Sequence, residues 1–409
     1  RLFEARVPFV PRGAGTGLSG GTLALHGEVM IALNRMNRIL EVDPANRVAV
    51  VECGVINRDL SIRCAPLGLH YAPDPSSQSA CTLGGNVAEN SGGPHCLKYG
   101  VTTNHVLGVK LVTTEGEVLD LGGKAEGGPG YDLLGVLVGS EGTFGVVTEI
   151  TVRLTRLPPA LRTVLATFLR VEDASRTVSE VIGRGLVPAA LELMDRLAIR
   201  AVESGHYRIG HPPEVEAVLL AEVDGLEAGL EEEAAALAAL CLALAVLEVR
   251  VARTPEERTL WWNNRKTAFG ATGFLAPDSY VQDGVIPRSR LTEVLGEIGR
   301  IAEAHGIQIA NVFHAGDGNL HPLLCYDRDE PGQVERVVRA GSEILAACVR
   351  AGGSITGEHG VGAEKQCDMA LMYSPAELEW QKRVRAAFDP HELANPGKVF
   401  PTPGRCAEG

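Results

Sequence analysis

Apolar residues follow two rhythms along this chain. Up to about residue 157, short runs rich in Val, Ile, Leu and Thr alternate with glycine-bearing turns: Val7–Val10, Val29–Leu33, Val48–Glu52, Val106–Thr113 and Val146–Leu154. β-Branched side chains suit a pleated, half-buried surface, so these runs predict strands. Glu115-Gly116 lies between two of them and predicts a hairpin turn. Leu157-Pro158-Pro159 then breaks the pattern and predicts a domain boundary, dividing the chain into residues 1–156 and 157–401. Beyond it the apolar spacing lengthens. Leu161–Leu169 and Glu214–Val223 still predict strands, whereas Leu226–Leu247, residues 255–270, Arg290–Ala304 and Gln333–Ala351 carry helical spacing. Pro255 suits a first helical turn, and a last helix, Pro375–Phe388, has Ser374 as its N-cap. The second part is thus an α+β domain built from strand–helix units. No internal repeat or low-complexity segment interrupts it.

The longest apolar run, Ala234 to Leu247, falls short of the ~20 residues that cross a bilayer, and Glu231, Glu232 and Glu233 precede it, as at the start of a packed helix. With 409 residues, 45% hydrophobic and 22% charged, the chain has the composition of a folded protein of two or so domains. Its net charge of −13 argues against nucleic acid or anionic lipid as the main partner, but not against a small anion at a locally basic site. Nine cysteines, an odd number without CxxC spacing, predict neither a disulfide framework nor a zinc or iron–sulfur site. A reducing, cytoplasmic setting follows, and an iron–sulfur relay would have to sit on another chain. Starting at Arg1 and running at once into a strand-like segment, the sequence is expected to lack an N-terminal portion.

Glycine changes the picture, because 24 of the 48 glycines lie in the first 150 residues. The segment Pro11-Arg12-Gly13-Ala14-Gly15-Thr16-Gly17-Leu18-Ser19-Gly20-Gly21 follows a short apolar strand. Closely spaced glycines let successive N–H groups point inward as a nest for phosphate oxygens, with Arg12, Thr16 and Ser19 as further donors. A plain glycine-rich turn is the alternative. Neither a Walker A loop nor a Rossmann fingerprint fits, since no Gly-Lys-Ser/Thr and no helix with a later acid follows. Two more glycine-plus-hydroxyl loops occur. One runs from Pro73 and Asp74 through Ser79, Thr82, Gly84, Gly85, Asn86 and Asn90 to Gly92; the other holds Gly139, Glu141, Gly142 and Gly145. Three such loops in one domain suit an extended ligand such as a dinucleotide.

In order, spacing and identity these loops resemble the PCMH-type FAD-binding domain of the vanillyl-alcohol oxidase superfamily, from about residue 1 to 155. The resemblance implies that the first loop holds the FAD pyrophosphate. Residues 73–93 would lie along pyrophosphate and flavin, with 139–145 and Ile150 near the adenosine end. Members that bond flavin covalently use a histidine in the first loop; residues 11–21 contain none, so the FAD is expected to be dissociable. The family also has strand and helix preceding the position of Arg1.

The second part carries Asn311-Val312-Phe313-His314-Ala315-Gly316-Asp317-Gly318-Asn319-Leu320-His321 and, later, Gly357-Glu358-His359-Gly360. Glycine-flanked imidazoles suggest tight loops that present side chains to a ligand. His314, His321 and Glu358 make three ligands for a divalent metal with open positions, although hydrogen-bonded loop histidines would look the same. Residues 160–401 resemble the FAD-linked oxidase C-terminal domain of D-lactate dehydrogenases, D-2-hydroxyglutarate dehydrogenases and glycolate oxidases, most closely the catalytic subunits of bacterial glycolate oxidases. Asn264-Arg265-Lys266, Asp283 to Arg288, Gly353 to Gly360, Asn395-Pro396-Gly397-Lys398 and the tail Pro401 to Gly409 support it. This resemblance implies a PCMH-type FAD domain followed by an α+β cap domain with an antiparallel sheet, whose last segment, about 389–401 with Asn395, returns to the flavin. It makes His314, His321 and Glu358 ligands of a zinc, manganese or iron ion, and His359 the catalytic base.

The expected reaction is oxidation of a small 2-hydroxy acid, glycolate or D-lactate, to the 2-oxo acid. The metal would chelate hydroxyl and carboxylate, His359 would take the proton, and hydride would pass from C2 to flavin N5. Arg265, or second Lys266, would hold the substrate carboxylate, unless both belong to a solvated helix face. The implied partners are an iron–sulfur electron-transfer subunit and a second FAD-domain subunit, with the chain cytoplasmic and peripheral to the inner face of the membrane through them. A stand-alone D-lactate dehydrogenase is the nearest alternative. A non-catalytic FAD-domain subunit should lack the histidine motifs, and a covalent-flavin carbohydrate oxidase would need a histidine in the first loop.

Overall fold

The computed structural model describes residues 1–125, 127–244, 246–402 and 406; of the expected tail, residues 403–405 and 407–409 lie outside the described residues. By packing, the chain forms two units: Arg1–His95, Tyr99–Leu157 and Glu358–Gly409 make the first, and Cys96–Lys98 with Pro158–Gly357 the second. The chain leaves the first unit after Leu157 and rejoins it from Glu358.

In the first unit, a five-stranded antiparallel sheet runs in the order Ile39–Asp43, Val48–Glu52, Val146–Arg153, Val106–Val112, Val118–Gly122. The last two strands form the hairpin expected at Glu115-Gly116, closed by Gly116 N–H donating to the Thr113 carbonyl at 3.0 Å. Val51, Val109, Leu111, Ile150 and Val152 bury one face of this sheet against Leu60, Leu83 and Val87 from the helices Asn57–Cys64 and Leu83–Glu89. Phe9–Arg12 pairs in parallel with Val29–Ala32. The returning segment locks onto it: Phe9 N–H donates to the Leu393 carbonyl at 2.8 Å and Asn395 N–H to the Phe9 carbonyl at 2.7 Å.

Cys367 and Cys406 form a disulfide within this unit. That corrects the expectation of no pairing. Cysteines 39 residues apart carry no local spacing signal, and packing of the returning segment brings them together. The reducing setting inferred from unpaired cysteines loses that support.

The second unit is built on an eight-stranded antiparallel sheet. Along its main path the order is Val246–Val251, Ala160–Phe168, Ala217–Gly225, Ala190–Asp195, Gln308–His314, Asn319–Tyr326, Asp278–Val281. The helices Val171–Gly183, Leu291–His305 and Gln333–Arg350 bury Val178, Ile298 and Ile344 in the main core. Trp261 and Trp262 from the helix Pro255–Lys266 belong to a second core with Met194, Val312 and Leu323. One expected helix is shorter than the pattern suggested. Leu226–Leu247 is helical only over Glu227–Ala243, and the β-branched stretch after it becomes the edge strand Val246–Val251. An Ala/Leu run has no periodicity to mark its end, whereas Val-Leu-Glu-Val-Arg-Val alternates and pairs with Ala160–Phe168. No described helix is long and apolar enough to cross a membrane.

Candidate active site and cofactor cradle

In the first unit, glycine occupies the close contacts around the second loop. A Cβ on Gly13 would stand 2.2 Å from Thr82 Oγ1, and one on Gly84 would stand 2.8 Å from Cys53 Cβ and 2.9 Å from its carbonyl oxygen. Thr82 caps its helix by accepting from Gly85 N–H at 3.2 Å. The resulting cleft is lined by Gly13, Gly85, Glu141, Gly142, Gly145 and Asn395. A second groove of about 660 Å³ shares Gly13 and Thr82 with it and adds Arg12, Ala14, Asn37 and Asp59. Two cavities that share Gly13 and Thr82 in their walls suit an elongated ligand.

Glu141, in a left-handed conformation at φ 53°, accepts from Val361 and Gly362 N–H, each at 2.7 Å. Burial pushes its carboxyl upward, and those two N–H groups oppose the shift. Asn395 Nδ2 donates to the carbonyls of Gly21 at 2.9 Å and Glu141 at 2.7 Å. Asn395 Oδ1, on a residue that lines the cleft, is buried and without a partner among the described residues. A spare polar atom in a glycine-lined cleft fits a polar cofactor such as FAD.

The other expected FAD residues divide by what their side chains touch. The Arg12 guanidinium lies over Gly15, whose φ is +75°. Thr16, Gly17 and Ser79 are exposed, Gly20 is half-buried, and Pro73 and Gly92 are buried. Asp74 binds His95 Nδ1 at 2.8 Å, and Asn90 Oδ1 accepts from Thr103 N–H at 2.9 Å, so both shape their own loop. Gly139 N–H donates to the Val87 carbonyl at 2.8 Å. Ile150 is fully buried in the sheet core, which leaves its side chain a packing role.

In the second unit, the histidine motif folds as an antiparallel hairpin. His314 ends one strand, and Val312 lies opposite His321 in the register. Side chains alternate across a strand, so His314 and His321 project from the same face. Their rings meet edge to face, with centroids 5.1 Å apart. Gly318 makes the turn at φ +83°, where a Cβ would stand 2.2 Å from the Ile286 carbonyl oxygen. One ligating nitrogen of each histidine lies within 4.8 Å of the other.

Two carboxylates absent from the sequence assignment complete this cluster. Glu192, directly opposite His314 in the neighbouring strand, accepts from His314 Nδ1 at 2.8 and 3.0 Å. Arg265 Nη2 lies 2.5 Å from Glu192 Oε2. Asp283 Oδ1 lies 3.4 Å from His321 Nε2. Its Oδ2 accepts from Thr356 Oγ1 at 2.6 Å and Gly357 N–H at 3.0 Å, which fixes the backbone up to the residue before Glu358. Glu192, Arg265, Asp283 and His321 are all buried. Arg265 therefore lies inside the fold rather than on a solvated helix face. Lys266 is exposed, with Nζ 5.6 Å from the Trp262 ring centroid, and is not brought to the cluster. The sequence did hold a signal for Glu192: it is the lone acid in the otherwise apolar run Ala190–Met194.

Glu358 and His359 open the segment that packs with the first unit, and both side chains are largely buried there. The turn after them needs glycine: a Cβ on Gly360, at φ +81°, would stand 2.4 Å from Glu89 Oε2.

A paired donor set fits a divalent cation. Two buried imidazoles share one face, and each has a carboxylate beside a ring nitrogen, an arrangement that orients metal-binding histidines.

The family of FAD linked oxidases, C-terminal domain, matches residues 157–399, and an FAD binding domain matches residues 2–122. The glycolate oxidase subunit GlcD of Escherichia coli is 48% identical over 403 residues, covering 98% of this chain and 81% of that protein. The D-lactate dehydrogenase of Anaerostipes hadrus is 33% identical, covering 97% of this chain and 85% of that protein. Among solved structures, p-cresol methylhydroxylase with bound substrate superposes with a TM-score of 0.82 at 17% identity, covering 97% of this chain and 85% of that one, a likeness of fold. With a glycine-lined cofactor cradle in one unit and paired histidines in the other, this chain belongs to the FAD-linked oxidases.

Proposed function

We propose that this chain oxidises a small 2-hydroxy acid, glycolate or D-lactate, to the corresponding 2-oxo acid. The observation that carries the reading is the buried His314–His321 pair with Glu192 on His314 Nδ1. Relatives named as a glycolate oxidase subunit and D-lactate dehydrogenases support the substrate class. The cradle formed by Gly13, Thr82, Gly85, Glu141 and Asn395 would hold FAD without a covalent bond, and FAD when bound supplies a hydride acceptor. His314 and His321, with Glu358 as the carboxylate ligand, would hold a divalent cation, which supplies Lewis-acid polarisation of the substrate hydroxyl.

The remaining work falls to side chains. Arg265 anchors the substrate carboxylate; its Nε is buried and unpartnered among the described residues, so a donor remains beside the one turned to Glu192. His359 accepts the hydroxyl proton on a ring nitrogen, and for that it must be neutral. Burial of Arg265 and His321 excludes water from the groups that orient the substrate.

We further assign an iron–sulfur electron-transfer subunit and a second FAD-domain subunit as partners, with the chain peripheral to the inner face of the membrane through them. Naming of the similar glycolate oxidase chain as a subunit supports a complex.

Anaerobic mixing of the FAD-loaded, full-length chain with a panel of 2-hydroxy acids tests the reading. Glycolate or D-lactate should bleach the flavin, and the faster acid separates a glycolate oxidase from a D-lactate dehydrogenase. A flavin left oxidised by the whole panel would remove the proposal.

A further inference from the structure

We propose that Glu192 is a positioning residue that couples the substrate anchor Arg265 to the metal ligand His314, one carboxylate setting both. This rests on the reading of the site given above. Glu192 and His314 are direct cross-strand partners in the pairing of Ala190–Asp195 with Gln308–His314. Their separation is thus fixed by sheet register rather than by a loop, the more precise way to place a functional group.

A carboxylate has two oxygens and about four lone-pair sites, and it accepts only. On one side Glu192 receives the His314 Nδ1 proton at 2.8 and 3.0 Å, on the other it faces Arg265 Nη2 at 2.5 Å. Holding the proton on Nδ1 leaves the lone pair on Nε2, the form of imidazole that binds a cation. The same carboxylate balances the permanent charge of Arg265, which is only 3% exposed. Glu192 itself is 1% exposed, so water offers neither partner a substitute. A buried charge that loses its partner is strongly unfavourable, so anchor and ligand depend on one group.

Glutamine has the same shape but one acceptor oxygen and two N–H donors. Facing a guanidinium and an imidazole N–H, it satisfies one and presents a donor to the other. Aspartate is shorter but keeps both acceptors and the charge. Volume and chemistry therefore make opposite orders of the two variants.

The test uses the FAD-loaded, full-length chain. Zn²⁺ affinity is measured by chelator competition, and kcat and KM for glycolate and D-lactate are measured alongside. Glu192→Gln should keep the flavin spectrum, bind Zn²⁺ on the order of 10- to 100-fold more weakly, and raise KM for the acid. Glu192→Asp should recover part of the Zn²⁺ affinity. The opposite order, with Gln binding as well as wild type and Asp worse, would show that only side-chain volume matters and overturn the proposal. If Glu192→Gln fails to fold, the double variant Glu192→Gln/Arg265→Gln removes the stranded cation, and its Zn²⁺ affinity decides in the same way. A wild-type chain that binds no Zn²⁺ overturns the metal reading itself, whereas wild-type binding with an unaffected Glu192→Gln overturns only the role of Glu192.

Discussion

At the scale of single residues, burial decides what a charged or titratable group can do. His359 follows Glu358, the proposed ligand, in the chain, and its proposed role as base is separable from metal and flavin binding. His359→Asn should retain FAD and metal yet reduce flavin on the order of 10²-fold or more slowly, the usual scale for a lost general base. Anaerobic stopped-flow checks this, and a near wild-type rate would remove the assignment. Asp195 gives a second handle. It caps the helix Arg196–Glu203 through Ala198 N–H at 2.9 Å and accepts from Asn311 Nδ2 at 2.7 Å. Burial nonetheless pushes its carboxyl from an ordinary 3.8 up to about 6. A carboxyl raised by folding contributes stability in full below its unfolded value, and that contribution is lost as pH rises through about 6. Asn keeps a capping oxygen and does not ionise. Urea midpoints of Asp195→Asn should therefore decline less than wild type as pH rises from 4 to 6, values that bracket this transition; parallel curves would contradict the argument.

At the scale of elements, short helices and tight turns place the residues proposed to hold the cofactor, and glycine is what allows their approach. Gly84, in the first turn of Leu83–Glu89, has Cys53 Cβ and carbonyl oxygen within 2.9 Å of where its own Cβ would stand. Gly84→Ala should push that helix away from the Cys53 backbone and open the cleft. FAD affinity measured by fluorescence titration should fall at least on the order of tenfold, one 1.4 kcal/mol step. Unchanged affinity would mean that the helix absorbs the methyl group without moving the cleft. Element identity was mostly legible. Pro375–Phe388 has the Ser374 cap expected from sequence, reinforced by a capping box with Glu377. The Ala/Leu-rich helix was read too long, because nothing in an unpatterned apolar run distinguishes its last turn from the strand that follows.

At the scale of the whole molecule, the chain leaves the first unit after Leu157 and returns to it from Glu358. The Cys367–Cys406 disulfide closes part of that returning segment. A loop of this size, 39 residues in separation, corresponds to about 3–4 kcal/mol in the loop-entropy account of disulfide stabilisation. Cys406→Ser, or reduction by dithiothreitol, should lower urea stability by roughly that amount, an expectation within the usual range for a native bridge. Identical unfolding curves with and without reductant would show that the bridge does not hold the segment.

Sequence alone determined the cofactor class and the chemistry-bearing motifs. Glycine-rich loops with hydroxyl donors and glycine-flanked histidines are local patterns that survive in one dimension, and their resemblance to a known family, rather than their spacing alone, singled out the cofactor. The sequence also placed most strands of the first unit, as runs rich in Val, Ile, Leu and Thr, but in the second unit only Ala160–Phe168 and Ala217–Gly225. Tertiary structure alone decided the rest. Glu192 and Asp283 lie far along the chain from His314 and His321, and only sheet register brings them beside those rings. Arg265 and Lys266 are neighbours of the same charge, yet the rotation of one helical residue buries the first against Glu192 and leaves the second exposed over Trp262. Non-local pairing has no periodicity along the chain, so partners of a buried charge become visible only once the sheet is formed.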